Sequence, residues 1–249
     1  MSPGFKTTIL AVLVLGTTVF SQQAITIGAL ETPQAYTRIV YAENSYPSFL
    51  RSLPLKGSKE IRKWDGKLLK SSWVLYDVLA VLEVPLLYNE DIEQCADFSM
   101  RLWSEYLKDL DQLENLSLFD YNGTPKPYTE SGKSFEKYLR WHMAFSNSHS
   151  IKKGANIVGA DDLQPGDMFV QNATGGIGHV SVIVDAAVNA GGDKVFLVGF
   201  GYMPAQEFHI EKAKKKFGPD GWFTLEGYLE FLDGLQFKRY GKPILMRYN

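Results

Sequence analysis

The chain has 249 residues, of which 45% are hydrophobic, 22% charged and 13% aromatic. That profile excludes a disordered chain, which lacks the apolar residues to build a core, and a fibre, which shows a short repeat. Lysine and arginine number 26 against 28 aspartate and glutamate, a formal net charge of −2, which argues against a nucleic-acid binder held by phosphate contacts. The one cysteine, Cys95, leaves no intramolecular disulfide to form.

In chain order, Lys6 followed by the apolar stretch Ile9 to Phe20 reads as a signal peptide, with an h-region too short to span a bilayer. A cut after Ser21 makes residues 1–21 the signal and starts the mature chain at Gln22. The expected location is secreted or periplasmic, with no stable membrane span once the signal is removed. In that oxidising setting a lone cysteine is a free thiol, either packed in the core or kept for its reactivity.

Residues 22–45 show little periodicity and read as an extended arm ahead of a single domain over 46–249. Ser48 to Leu55 suits a short helix stopped by Pro54, and Trp64-Asp65-Gly66-Lys67 suits a hairpin turn. Trp73 to Val84 reads as a buried strand. Apolar residues at helical spacing predict a long helix over Glu90 to Leu113 with Asn89 as N-cap, which puts Cys95 in the second turn; a start near Gln94 would instead put it at the helix mouth. A polar loop is expected over Asn115 to Gly132 and a second helix over Phe135 to Phe145. The period then changes to two. Strands are expected at Met168 to Gln171, His179 to Ala187, Val195 to Phe200, Glu207 to Ile210 and Phe237 to Tyr240, with a glycine-rich loop at Thr174 to Gly178. A helical first half and an antiparallel second half predict an α+β domain, its strands curling into a small barrel or twisted sheet.

The chemistry-bearing constellation is Cys95 on a helix, then Gly166 to Gln171 (GDMFVQ), then Gly178 to Asp185 (GHVSVIVD). A thiolate is favoured at a helix N-terminus. An imidazole within reach of the thiol can take its proton and return it to a leaving amine. Backbone N–H groups beside the cysteine can hold an oxyanion.

This order of motifs (QCADFSMRLW, LQPGDMFVQ, GHVSVIVD) resembles the papain-like cell-wall hydrolases of the NlpC and CHAP type. In those, a cysteine opens a helix packed on a small antiparallel sheet and Gly-His-Val begins the histidine strand. SYPSFLRSLPLK, IEQCADFSMRLWSEYL and YMPAQEFHI, with the two strand motifs, resemble a secreted bacterial family known as domain of unknown function 4846.

The hydrolase resemblance implies a papain-like α+β fold, with a half-barrel sheet and an N-terminal extension, and a cysteine peptidase or amidase acting on peptidoglycan peptides or another envelope substrate. Cys95 would be the nucleophile and His179 the general base and acid. Papain-like enzymes orient the histidine from the next strand, but here that strand ends Val198-Gly199-Phe200-Gly201. Gln206 is the nearest substitute, and Gln94, Gln171 and Tyr202 are candidate substrate contacts. The alternative is an inactive exported binding protein on the same fold, in which Cys95 is a core residue and His179 a strand histidine bonded to a nearby carbonyl. No cofactor is implied. His142 and His149 have no acidic or cysteine partner clustered with them, so no metal site is expected.

Overall fold

The computed structural model describes residue 1 and residues 25–69 and 77–249. The signal-peptide segment and the start of the Trp73 to Val84 strand lie outside the described residues. Ten strands and five α-helices are formed among those described. In chain order they are β1 (Tyr36–Arg38), α1 (Tyr46–Ser52), β2 (Val78–Val81), α2 (Cys95–Asp109), β3 (Ser117–Phe119), β4 (Pro125–Pro127), α3 (Phe135–Phe145), α4 (Ser148–Gly154), β5 (Asn156–Ile157), β6 (Met168–Gln171), β7 (His179–Asn189), β8 (Lys194–Phe200), β9 (His209–Glu211), α5 (Leu225–Leu232) and β10 (Ile244–Arg247). The fold is α+β.

The main sheet is antiparallel, in the order β2-β9-β8-β7-β6-β10-β5, with β1 pairing against the far end of β7. Its two faces are both covered, because side chains alternate along a strand and each face meets its own layer. On one face Val180, Val182 and Val184 of β7 and Leu197 of β8 pack against Ala96, Phe98 and Met100 of α2. On the other face Ile183, Val198 and Phe200 pack against Tyr228 and Leu232 of α5 and against Phe237 and Tyr240. Strands buried on both sides read as continuous apolar runs, and β7 is buried from His179 through Ala187.

The N-terminal arm lies on this sheet. Thr37 pairs with Val188, and Arg38 and Arg51 converge on Asp185, which is fully buried at an irregularity of β7. Arg38 Nε donates to Asp185 Oδ2 at 2.6 Å, and Arg51 Nε and Nη2 donate to Oδ1 at 2.9 and 2.5 Å. A buried carboxylate is tolerated when it is paired in this way.

Four expectations are corrected. The long helix starts at Cys95, with Gln94 as N-cap, because the Asp97 carboxylate accepts the Gln94 N–H at 2.8 Å and fixes the helix mouth there. Glu93 is turned away to accept the Leu87 N–H and to pair with Arg101 at 2.5 Å. Residues 115–132 are not all loop: Leu116, Leu118 and Phe119 are buried, and β3 pairs with β4. Pro125 and Pro127 fit that outer strand because an edge position needs no donor from them. Residues 237–240 are not a strand. They form a 3₁₀ turn over Lys238–Tyr240, in which Phe237 and Tyr240, three apart, bury the same side. Finally, α5 and β10 close the fold, where no element was expected.

Candidate functional site

Cys95 is the first residue of α2, 6% exposed, with its sulfur against the end of the sheet. The backbone N–H of Val180 points to that sulfur, as do the N–H groups of Ala96 and of Cys95 itself. These donors favour the thiolate, and so does the helix mouth. Burial outweighs them, with Asp97 adding to it, and pushes the thiol up to about 12. At neutral pH the group is a protonated thiol.

His179 begins β7 one residue before Val180, so its side chain leaves the other face of the sheet. The imidazole is fully buried between Phe200 (ring centroids 4.9 Å apart), Phe237 (4.4 Å) and Tyr202 (5.8 Å). Among the described residues neither ring nitrogen has a hydrogen-bond partner. Burial, reinforced by nearby His209, brings its proton affinity down to about 3. No hydrogen bond joins His179 to Cys95. The carbonyl-bonded histidine considered above is not formed either.

Of the remaining candidates, two join His179, one joins Cys95 and one stands apart. Gln171 stands directly across from His179 in the β6–β7 register and donates to the Gly241 and Phe237 carbonyls at 2.6 and 3.3 Å. Tyr202 meets the Tyr240 hydroxyl at 3.0 Å and helps cover the histidine. Gln94 sits with Cys95 at the helix mouth, its Nε2 donating to Asp91 Oδ1 at 3.0 Å. Gln206 is buried in the β8–β9 connection, bridged to Lys63. The fold therefore gathers Gln171, His179 and Tyr202 in one place and Gln94 with Cys95 in another.

A family model described as a domain of unknown function, number 4846, matches residues 27–133 and 120–240. The chain belongs to this family. No curated protein and no solved structure matches it. The family segments include α2, β7 and β9, and so contain Cys95, His179 and Glu211.

A second polar group on the His179 face was not singled out from the sequence. His209 and Glu211 alternate on β9, with Nε2 and Oε2 3.6 Å apart. Glu211 is 2% exposed; its Oε1 accepts the Asp77 N–H at 2.7 Å, while Oε2 has no hydrogen-bond partner among the described residues. Burial raises its carboxyl to about 9 and lowers His209 to about 3, so both are neutral at pH 7. Glu211 borders a cleft of about 380 Å³ between β9 and the α5 region. The available signal was two ionisable residues at alternate positions of an otherwise apolar strand. Among the described residues no group of three or more His, Cys, Asp or Glu could hold a metal ion, and no helix is long and apolar enough to cross a membrane.

Proposed function

We propose that this is an exported, non-catalytic binding protein built on a papain-like pairing of helix and antiparallel sheet. The observation that carries the reading is the separation of thiol from imidazole: Val180 faces the helix that carries Cys95, and His179 faces the opposite layer. A cysteine hydrolase needs the imidazole within hydrogen-bond reach of the sulfur to remove its proton. Export rests on the Lys6 and Ile9 to Phe20 pattern.

One observation favours a second reading, a cysteine hydrolase cleaving amide bonds in peptidoglycan peptides. Cys95 opens α2, where the backbone N–H groups of Val180 and Ala96 favour its thiolate. That reading requires β7 to present His179 on the other face. The deciding experiment compares wild type with Cys95→Ala and His179→Ala on muropeptides and fluorogenic peptide amides. Equal, background turnover in all three supports the binding protein. Turnover lost in both variants overturns it.

A further inference from the structure

The cleft bordered by Glu211 has the makings of a ligand site. Its lining includes Glu211 and Gln236, whose Oε2 and Oε1 are buried without hydrogen-bond partners among the described residues. Buried polar atoms are nearly always satisfied, and leaving one unmade costs about 1–3 kcal/mol. Other buried atoms without partners lie elsewhere in the fold, but these two belong to residues of one opening. The walls are apolar: Phe217, Phe231 and Phe237, with Leu235 at the lip, 94% exposed. The rim is cationic. Lys214 and Lys216 are shared with Asp77 and Glu230, whereas Lys212 has no ion pair among the described residues. The volume, about 380 Å³, is that of a small-molecule pocket.

Each part asks something different of an occupant. The Gln236 oxygen needs a hydrogen-bond donor, as does Glu211 Oε2 once that acid ionises, while the walls need an apolar body and the rim an anion. A simple carboxylate or phosphate would leave the Gln236 oxygen unpaired, and a simple amine would face the lysines with nothing to offer them. We infer that the cleft binds an apolar amino acid or short peptide with free termini, its ammonium on Glu211 and Gln236 and its carboxylate toward Lys212. The aromatic walls hold its side chains. This rests on the binding-protein reading and names the ligand class. Glu211, a neutral acid in the empty cleft, would pass its proton to solvent as the ammonium arrives, and the resulting ion pair would be partly desolvated by the aromatic walls.

The test is calorimetric titration of the full mature chain with leucyl-phenylalanine, N-acetyl-leucyl-phenylalanine and leucyl-phenylalanine amide. Saturable binding of the free dipeptide is expected, about tenfold or more weaker when the amine is acetylated and weaker again when the carboxylate is amidated. Glu211→Gln and Gln236→Leu, each checked for folding by circular dichroism, should both weaken the free dipeptide by a similar factor. No binding of any of the three, or binding unchanged in both variants, overturns the site. The outcome is separable from the catalytic question, because a dipeptide bound equally by wild type and Cys95→Ala leaves the cleft intact whatever the muropeptide assay returns.

Discussion

The backbone N–H of Val180 points at the sulfur of Cys95. The thiol thus packs against the strand that carries His179 while the imidazole leaves from its opposite side. A buried thiol held up at about 12 has almost no thiolate at neutral pH, and the thiolate is the reactive form. A maleimide should therefore label Cys95 only slowly in the folded protein. Raising the pH to about 9, where a free thiol becomes largely ionised, should accelerate labelling little. Full, rapid labelling is expected in denaturant. Stoichiometric labelling within minutes at pH 7 would show an activated cysteine.

The His179 imidazole sits among Phe200, Tyr202 and Phe237 with both nitrogens unpartnered. Its proton affinity is lowered to about 3, so it binds fewer protons folded than unfolded. Its stabilising contribution is complete above the ordinary histidine value and is lost as pH falls toward 3. His179→Phe keeps an aromatic ring in the cage and removes the titration. At pH 7 its stability should equal or exceed wild type, because an unpaired polar group is replaced by an apolar one of similar shape. Between about pH 6 and 4 its stability should fall less steeply, by about 1.4 kcal/mol per pH unit. His209 and His142, lowered to about 3 and about 4, keep the same sign and preserve part of the slope. Urea denaturation across that range measures it, and an unchanged slope would refute the buried neutral imidazole. Glu211, raised to about 9, works in the opposite sense: its contribution is present below the ordinary carboxyl value and is lost as pH rises toward 9.

Much of the fold is legible in local pattern. The α3 span Phe135–Phe145 and the β6 span Met168–Gln171 follow from apolar spacing alone. What local pattern does not carry is phase. Gly-His-Val announces a strand that begins with histidine, but whether His179 or Val180 meets α2 depends on which side of the sheet the helix covers. A shift of one residue exchanges the faces. The choice between a helix start at Glu90 and one near Gln94 stayed open for a related reason: Asp91, Glu93 and Asp97 all suit a first turn by composition. Only the distant Ala205 N–H on Asp91 at 2.6 Å and Arg101 on Glu93 withdraw the first two from it. The Glu211 cleft was invisible because Gln236 and Glu211 come to line one opening only when the segment after α5 folds back toward β9.

Asp185 ties the N-terminal arm and α1 to the centre of β7 through Arg38 and Arg51. Asp185→Asn keeps the size and removes the charge, leaving two guanidinium groups facing a neutral amide. Both arginines retain some exposure and carbonyl partners, Arg38 on Leu30 and Arg51 on Ile39. The cost should therefore lie near the low end for a broken buried pair, about 3 kcal/mol. The urea midpoint should drop accordingly. Limited proteolysis should cut within residues 30–45 before the rest of the chain unfolds, since the arm then keeps only the short β1 pairing and single hydrogen bonds such as Trp222 to the Glu31 carbonyl and Tyr106 to the Asn44 carbonyl. Cleavage elsewhere first would mean that the arm is anchored by something other than this carboxylate.

Gly199 separates β8 from β9 at a point where no side chain fits. A methyl group there would meet the Phe208 ring and lie 2.7 Å from the His209 carbonyl oxygen. One of these is a fully buried aromatic and the other is backbone, so neither can swing away. Gly199→Ala should therefore cost about 1–3 kcal/mol through overpacking, despite alanine's lower entropy in the unfolded chain. Gly57→Ala supplies the contrast, because an added methyl group there meets nothing within 4 Å and should change stability by no more than about 0.5 kcal/mol. Thermal or urea unfolding of the two variants side by side tests whether β8 and β9 approach as closely as this. Equal stabilities would show that the strands have room to part, and that His209 and Glu211 are held less firmly over the cleft than their burial implies.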